Sequence, residues 1–157
     1  MLTSETLVQV RKSGASVPAG SLEIGDVVYD GFAGRYREIS DILRRTVNTA
    51  ITPELAPVPI RWGVFGRGIP KRDVHVSPEQ KILSVFRPSD AIPFLETVVA
   101  RNVDNTVLPK TQPNQKLVTY VALFFDGPCY VVCSDLLMFG YTPDILVDPP
   151  QQLRRRA

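Results

Sequence analysis

Between Leu117 and Asp126 the chain alternates with period two. Leu117, Thr119, Val121, Leu123 and Phe125 face one way, and Val118, Tyr120, Ala122 and Phe124 the other. Apolar residues fill both faces, so the pattern predicts a central β-strand, covered above and below. Asp126-Gly127 is a turn signal, and it predicts a hairpin into a second strand over Cys129–Cys133. A shorter strand–turn–strand unit is predicted inside IPKRDVHVSPEQKIL, residues 69–83: Val74 and Val76 alternate, Ser77-Pro78 turns, and an apolar run starts at Ile82.

The N-terminal third reads the same way. Thr6–Arg11 alternates as a half-buried strand, Lys12-Ser13-Gly14 turns it, and Ala15–Pro18 is extended. Ser21 is placed to cap one helical turn that Gly25 would end. Val27–Asp30 is another strand, followed by a loop between Gly31 and Gly34. In Tyr36–Val47, Ile39, Ile42 and Leu43 fit helical spacing, but the flanks lack caps and the stretch is assigned to a strand. Proline breaks Thr52–Pro59 into a loop or edge segment, and Ile60–Phe65 is extended around Trp62. Pro93 fits the first position of a short helix ending at Ala100. Asn102–Gln115 is a polar loop, and Ser134–Phe139 one helical turn. The sum is a single mostly-β domain over residues 1–148 with one or two short helices, followed by a basic tail, 149–157.

Composition narrows this further. Fourteen prolines against ten glycines favour many interrupted extended segments over a helical bundle. With 44% hydrophobic and 22% charged residues the chain can bury a core, and disorder is excluded. A net charge of +2 gives no basis for a nucleic-acid protein, so the trio Arg154, Arg155 and Arg156 is a weak candidate for that partner. No apolar run is long enough to cross a membrane, and MLTSETLVQV lacks the basic-then-apolar order of a signal peptide. Synthesis in the cytoplasm is the expectation.

Cys129 and Cys133 lie four apart in CYVVC. In a strand that spacing is roughly 13 Å, well past the roughly 7 Å a disulfide spans. They are expected as reduced core thiols. His75 is the only histidine, so a zinc site lacks ligands, and neither metal nor cofactor is expected.

Four segments taken in order, TLVQVRKSGASVPAGSLEIGDVVYD, PVPIRWGVFGRGIPKRDVHVSPEQKIL, AIPFLETVVA and KLVTYVALFFDGPCYVVCSD, resemble the hedgehog/intein (Hint) domain in its compact bacterial branch. The resemblance implies a horseshoe-like, pseudo-symmetric β fold that in active members cleaves its own backbone. There a Cys at the first position attacks the preceding peptide bond, and a His in the segment matching Val76-Ser77-Pro78 assists. Such chemistry needs an activated thiol or hydroxyl, a proton carrier and a polarised carbonyl.

This chain departs from that pattern where the chemistry lies. The nucleophile position falls on Met1, whose thioether has no proton to lose. The His position falls on Gln80, which does not titrate near neutral pH. In the later hairpin Asp126 is kept, but Gly127-Pro128-Cys129 follows, and Pro128 has no N–H to donate. With Met1 as initiator, no upstream bond would exist to cleave.

Other side chains are candidate substitutes. Thr3 and Ser4 are hydroxyls near the first position without an evident base. His75 points away from the faces of Val74 and Val76 and reads as a strand histidine. Cys129 lies near Asp126, and a neighbouring carboxylate suppresses thiolate. Phe32, Tyr36 and Tyr141 fall in loops and, with Arg154–Arg156, are the candidates for a partner surface. Trp62, Phe65, Phe86, Phe94, Phe124, Phe125, Tyr120 and Tyr130 are expected mostly in the core. The sequence therefore predicts a non-enzymatic Hint-like module that contacts other protein chains. The setting expected is a large assembly such as a virus or phage particle, as a capsid cement or tail-associated component. The alternative is a self-processing domain using Thr3, Ser4 or Cys129.

Overall fold

The computed structural model describes residues 1–86, 94–103 and 117–143. Thirteen strands lie in this part: β1 (Leu2–Thr3), β2 (Leu7–Gln9), β3 (Ser16–Pro18), β4 (Val27–Asp30), β5 (Arg35–Glu38), β6 (Asp41–Asn48), β7 (Val58–Ile60), β8 (Val74–Val76), β9 (Lys81–Phe86), β10 (Phe94–Val99), β11 (Leu117–Phe124), β12 (Tyr130–Cys133) and β13 (Leu136–Phe139). Helix is confined, among the described residues, to three short 3-10 turns at Ala19–Ser21, Pro53–Leu55 and Ala100–Asn102. No helix there is long and apolar enough to cross a membrane. The mostly-β expectation holds.

The strands form a five-stranded sheet in the order β6-β11-β1-β8-β7, a six-stranded sheet β10-β9-β13-β12-β4-β5, and a ribbon β2-β3. All named pairings are antiparallel. The main core draws on all three: Leu2, Val76 and Val121 from the first sheet, Ile82 and Met138 from the second, Val8 from the ribbon. β11 is buried on both faces, as its two apolar rows require. Its second face, with Val118 and Tyr120, joins Val47 in a smaller cluster covered by Met1 and Leu55.

Several expectations need correction. Pro93–Ala100 was expected as a helix. From Phe94 to Val99 it is strand β10 paired along its length with β9, because Thr97-Val98-Val99 is β-branched and has an apolar partner strand. Ser134–Phe139 is likewise no helical turn. Ser134 and Asp135 adopt φ of 50° and 69°, a left-handed pair that turns β12 tightly into β13.

Asp126-Gly127 does not close a hairpin, since β11 and β12 belong to different sheets. The chain crosses between sheets at the fully buried Phe125. That crossing needs glycine nearby: a Cβ on Gly140 would sit 2.7 Å from the Phe125 ring and 3.1 Å from the Cys129 carbonyl. The first 3-10 turn ends at Ser21, whose hydroxyl donates back to the Pro18 carbonyl instead of capping a following turn.

Tyr36–Val47 is two strands, β5 and β6, split at the buried Ile39. The extended run expected through Phe65 stops at Ile60, after which Gly63, Gly66 and Gly68 take positive φ in a series of turns. Trp62 is consequently 66% exposed, not core, and its backbone N–H donates to the Asp73 carboxylate. The side chains of Phe86 and Phe94, residues 104–115 of the expected loop, and the expected tail 149–157 with Arg154, Arg155 and Arg156 lie outside the described residues.

Candidate functional site at the first residue

β1 is only two residues long, yet it sits between β11 and β8 in the middle of the five-stranded sheet. Leu2 faces the core opposite Val121 and Val76, which leaves Met1 pointing into the smaller cluster beside Val118 and Tyr120. The Met1 carbonyl accepts the Ser77 N–H at 2.8 Å. Its nitrogen lies 2.7 Å from both the Ser77 hydroxyl and the Tyr141 hydroxyl. Burial lowers the α-amino group from 8.0 to about 5, with Glu79 opposing the shift. Tyr141 packs its ring on Phe124 at 5.5 Å, and burial, with Glu79 adding, raises its phenol to about 12. Tyr141, expected in a loop, thus directs its hydroxyl to this site.

Gln80 follows on the same turn. It is 1% exposed, and its N–H donates to the Ser77 carbonyl. Its side-chain amide donates to the carbonyls of Lys81 at 2.8 Å and Phe139 at 3.1 Å. Its own carbonyl accepts from Ala100. Both amide protons are used in tying β9 to β13, so the group serves as a clamp.

The family model described as the Hint domain matches residues 2–144. The chain belongs to the Hint family. A search of curated proteins finds no significant match. The match begins next to Met1 and spans β1 through Tyr141, the elements that build this site around Ser77 and Gln80.

Within this Hint domain the other sequence candidates are arranged as follows. Pro128 is exposed, on the segment that links β11 to β12. Cys129 and Cys133 are buried free thiols, both pushed up to about 12. Burial is the cause for each; for Cys129 the nearby carboxylate that adds to it is Asp30, not the Asp126 expected from sequence. Neither is a thiolate near neutral pH.

Thr3, Ser4 and His75, far apart in sequence, line one groove of about 950 Å³ with Glu5, Arg72 and Asp73. The Thr6 hydroxyl donates to the His75 carbonyl, so in the 2.8 Å contact between Thr3 and Thr6 the proton belongs to Thr3. Ser4 presses its Cβ against Gly20, where an added Cβ would lie 3.0 Å away. His75 is held below its ordinary pKa by burial and by Arg61, partly offset by Asp73 and Glu5. Among the described residues, no group of three or more His, Cys, Asp or Glu gathers as a metal site.

Phe32 and Tyr36 are 55% and 53% exposed. Phe32 continues a row of rings through Tyr130 at 5.2 Å and Phe139 at 4.8 Å. Tyr36 packs on Tyr29 at 5.7 Å and accepts the Lys12 N–H. Sequence reasoning missed Ser77 and Tyr141 as members of the first-residue site. Ser77 was hidden as a turn residue, and Tyr141 follows a glycine in what reads as a loop.

Proposed function

We propose that this Hint domain is catalytically silent and works as a rigid module for contact with other protein chains. The observation that carries the reading is Gln80: at the position the resemblance gives to the assisting His, both amide protons are bound to backbone carbonyls. Met1 supports it, since a thioether packed against Val118 and Tyr120 has no proton to give up. The raised thiols of Cys129 and Cys133, and the Thr3 hydroxyl bound to that of the buried Thr6, support it from the side of the substitutes.

The surface offered to partners is the row Phe32–Tyr130–Phe139 with Tyr36 beside it, rings of the kind that anchor interfaces. The setting we propose is a large assembly, of which a virus or phage particle is one example. Two experiments test this. The chain carrying an upstream fusion should keep its intact mass through prolonged incubation, with or without added thiol, whereas release of the upstream part would overturn silence. In its native source the protein should sediment far above its 17.4 kDa, and a free monomer there would remove the assembly.

A further inference from the structure

Among the described residues β6 is an edge strand eight residues long, paired on one side only, with β11. Its length sets it apart from the other edge of that sheet: β7 has three residues, and Pro59 in it lacks an N–H. No second described strand pairs with the outer side of β6. The Ile42 N–H is instead taken by the carboxylate of its own neighbour, Asp41, at 2.8 Å. That local bond marks the row of backbone groups without a strand partner.

Asp41, Leu43 and Arg45 share one face of β6, opposite Phe124, Ala122 and Tyr120 of β11. Leu43 is 45% exposed, and Asp41 and Arg45 are exposed. Consider a second copy added antiparallel about a two-fold axis. Residues opposite each other in such a ladder share their hydrogen-bonding state, so the axis must fall at a residue and not between two. An axis at Arg44 or Arg45 sets arginine against arginine, which is unfavourable. An axis at Leu43 sets Leu43 against itself and Asp41 against Arg45 of the second copy, twice. In that register Ile42 lies opposite Arg44, and no like charges meet.

We propose that the domain pairs with a second copy of itself through β6, in the register centred on Leu43. The two five-stranded sheets then continue as one of ten strands. On pairing, the Ile42 N–H passes from Asp41 to the backbone of the second copy, which frees the Asp41 carboxylate for Arg45 across the axis. This pairing is independent of whether the first-residue site is silent, since β6 and Met1 present different groups.

Sedimentation equilibrium of the full chain, from micromolar to near-millimolar concentration, tests it. The expected mass approaches twice 17.4 kDa. Asp41→Arg alone and Arg45→Asp alone should each weaken association by about tenfold or more, because each converts both cross-axis pairs to repulsion. An equimolar mixture of the two variants should recover the dimer, as should the double variant. Circular dichroism of each variant confirms that it is folded. A monomer at every concentration, or self-association that ignores both charge reversals, overturns the proposal; so does a mixture no stronger than the separate variants.

Discussion

Gln80 carries a structural load through its side-chain amide. It is buried and supplies two hydrogen bonds to the carbonyls of Lys81 and Phe139. Truncation to alanine leaves those acceptors facing a cavity, and the expected loss is about 2–4 kcal/mol. Urea unfolding of Gln80→Ala checks this, and a loss under about 0.5 kcal/mol would show that the clamp is dispensable.

Met1 makes a prediction about pH. Its folded α-amine titrates near 5 against an ordinary 8.0, so between those values the unfolded chain holds a proton that the folded chain does not. Stability therefore rises with pH from about 5 to 8, by on the order of 4 kcal/mol for a shift of this size. The lowered His75 acts with the same sign, in the window just below 6.5. Denaturation midpoints across that range should climb. A chain with one residue added before Met1 should lose the Met1 part of the slope, and an unchanged slope would contradict the burial of the amine.

At the scale of elements, strands defined by their own alternation were readable from sequence, and those defined by partners were not. β8, β9 and β11 follow from Val74/Val76, from the run at Ile82 and from the double apolar row ending at Phe125. β10 and β13 were misread as helical because Pro93 and the Leu136-Leu137-Met138 run fit helices locally, while pairing with β9 decides both. β1 was invisible, since two residues carry no period. The Asp126-Gly127 signal misled because Phe125 and Gly140 direct the chain into another sheet. Gly140→Ala therefore should cost about 1–3 kcal/mol by pushing on the Phe125 ring, and a neutral result in thermal unfolding would show that the crossing can relax. Cys129 and Cys133 belong to the same region. Both should resist a thiol reagent at neutral pH until the chain unfolds, and labelling of the native protein would contradict their burial.

On the scale of the molecule, the Hint fold places its first residue at the middle of a sheet, enclosed by β8, β11 and Tyr141. The sequence located Met1 and Gln80 as positions of interest through resemblance alone. Ser77 and Tyr141 emerge only when the turn after β8 and the segment after β13 are folded together. The groove at Thr3, Ser4 and His75 shows the converse, residues far apart in sequence gathered by the fold, with the Thr3 hydroxyl bound to that of Thr6. The most direct test of a silent first-residue site is the intact mass of the chain with an upstream segment, incubated at neutral pH with hydroxylamine to trap any ester or thioester. The mass should stay that of the uncleaved chain; a hydroxamate-bearing upstream fragment would contradict the account.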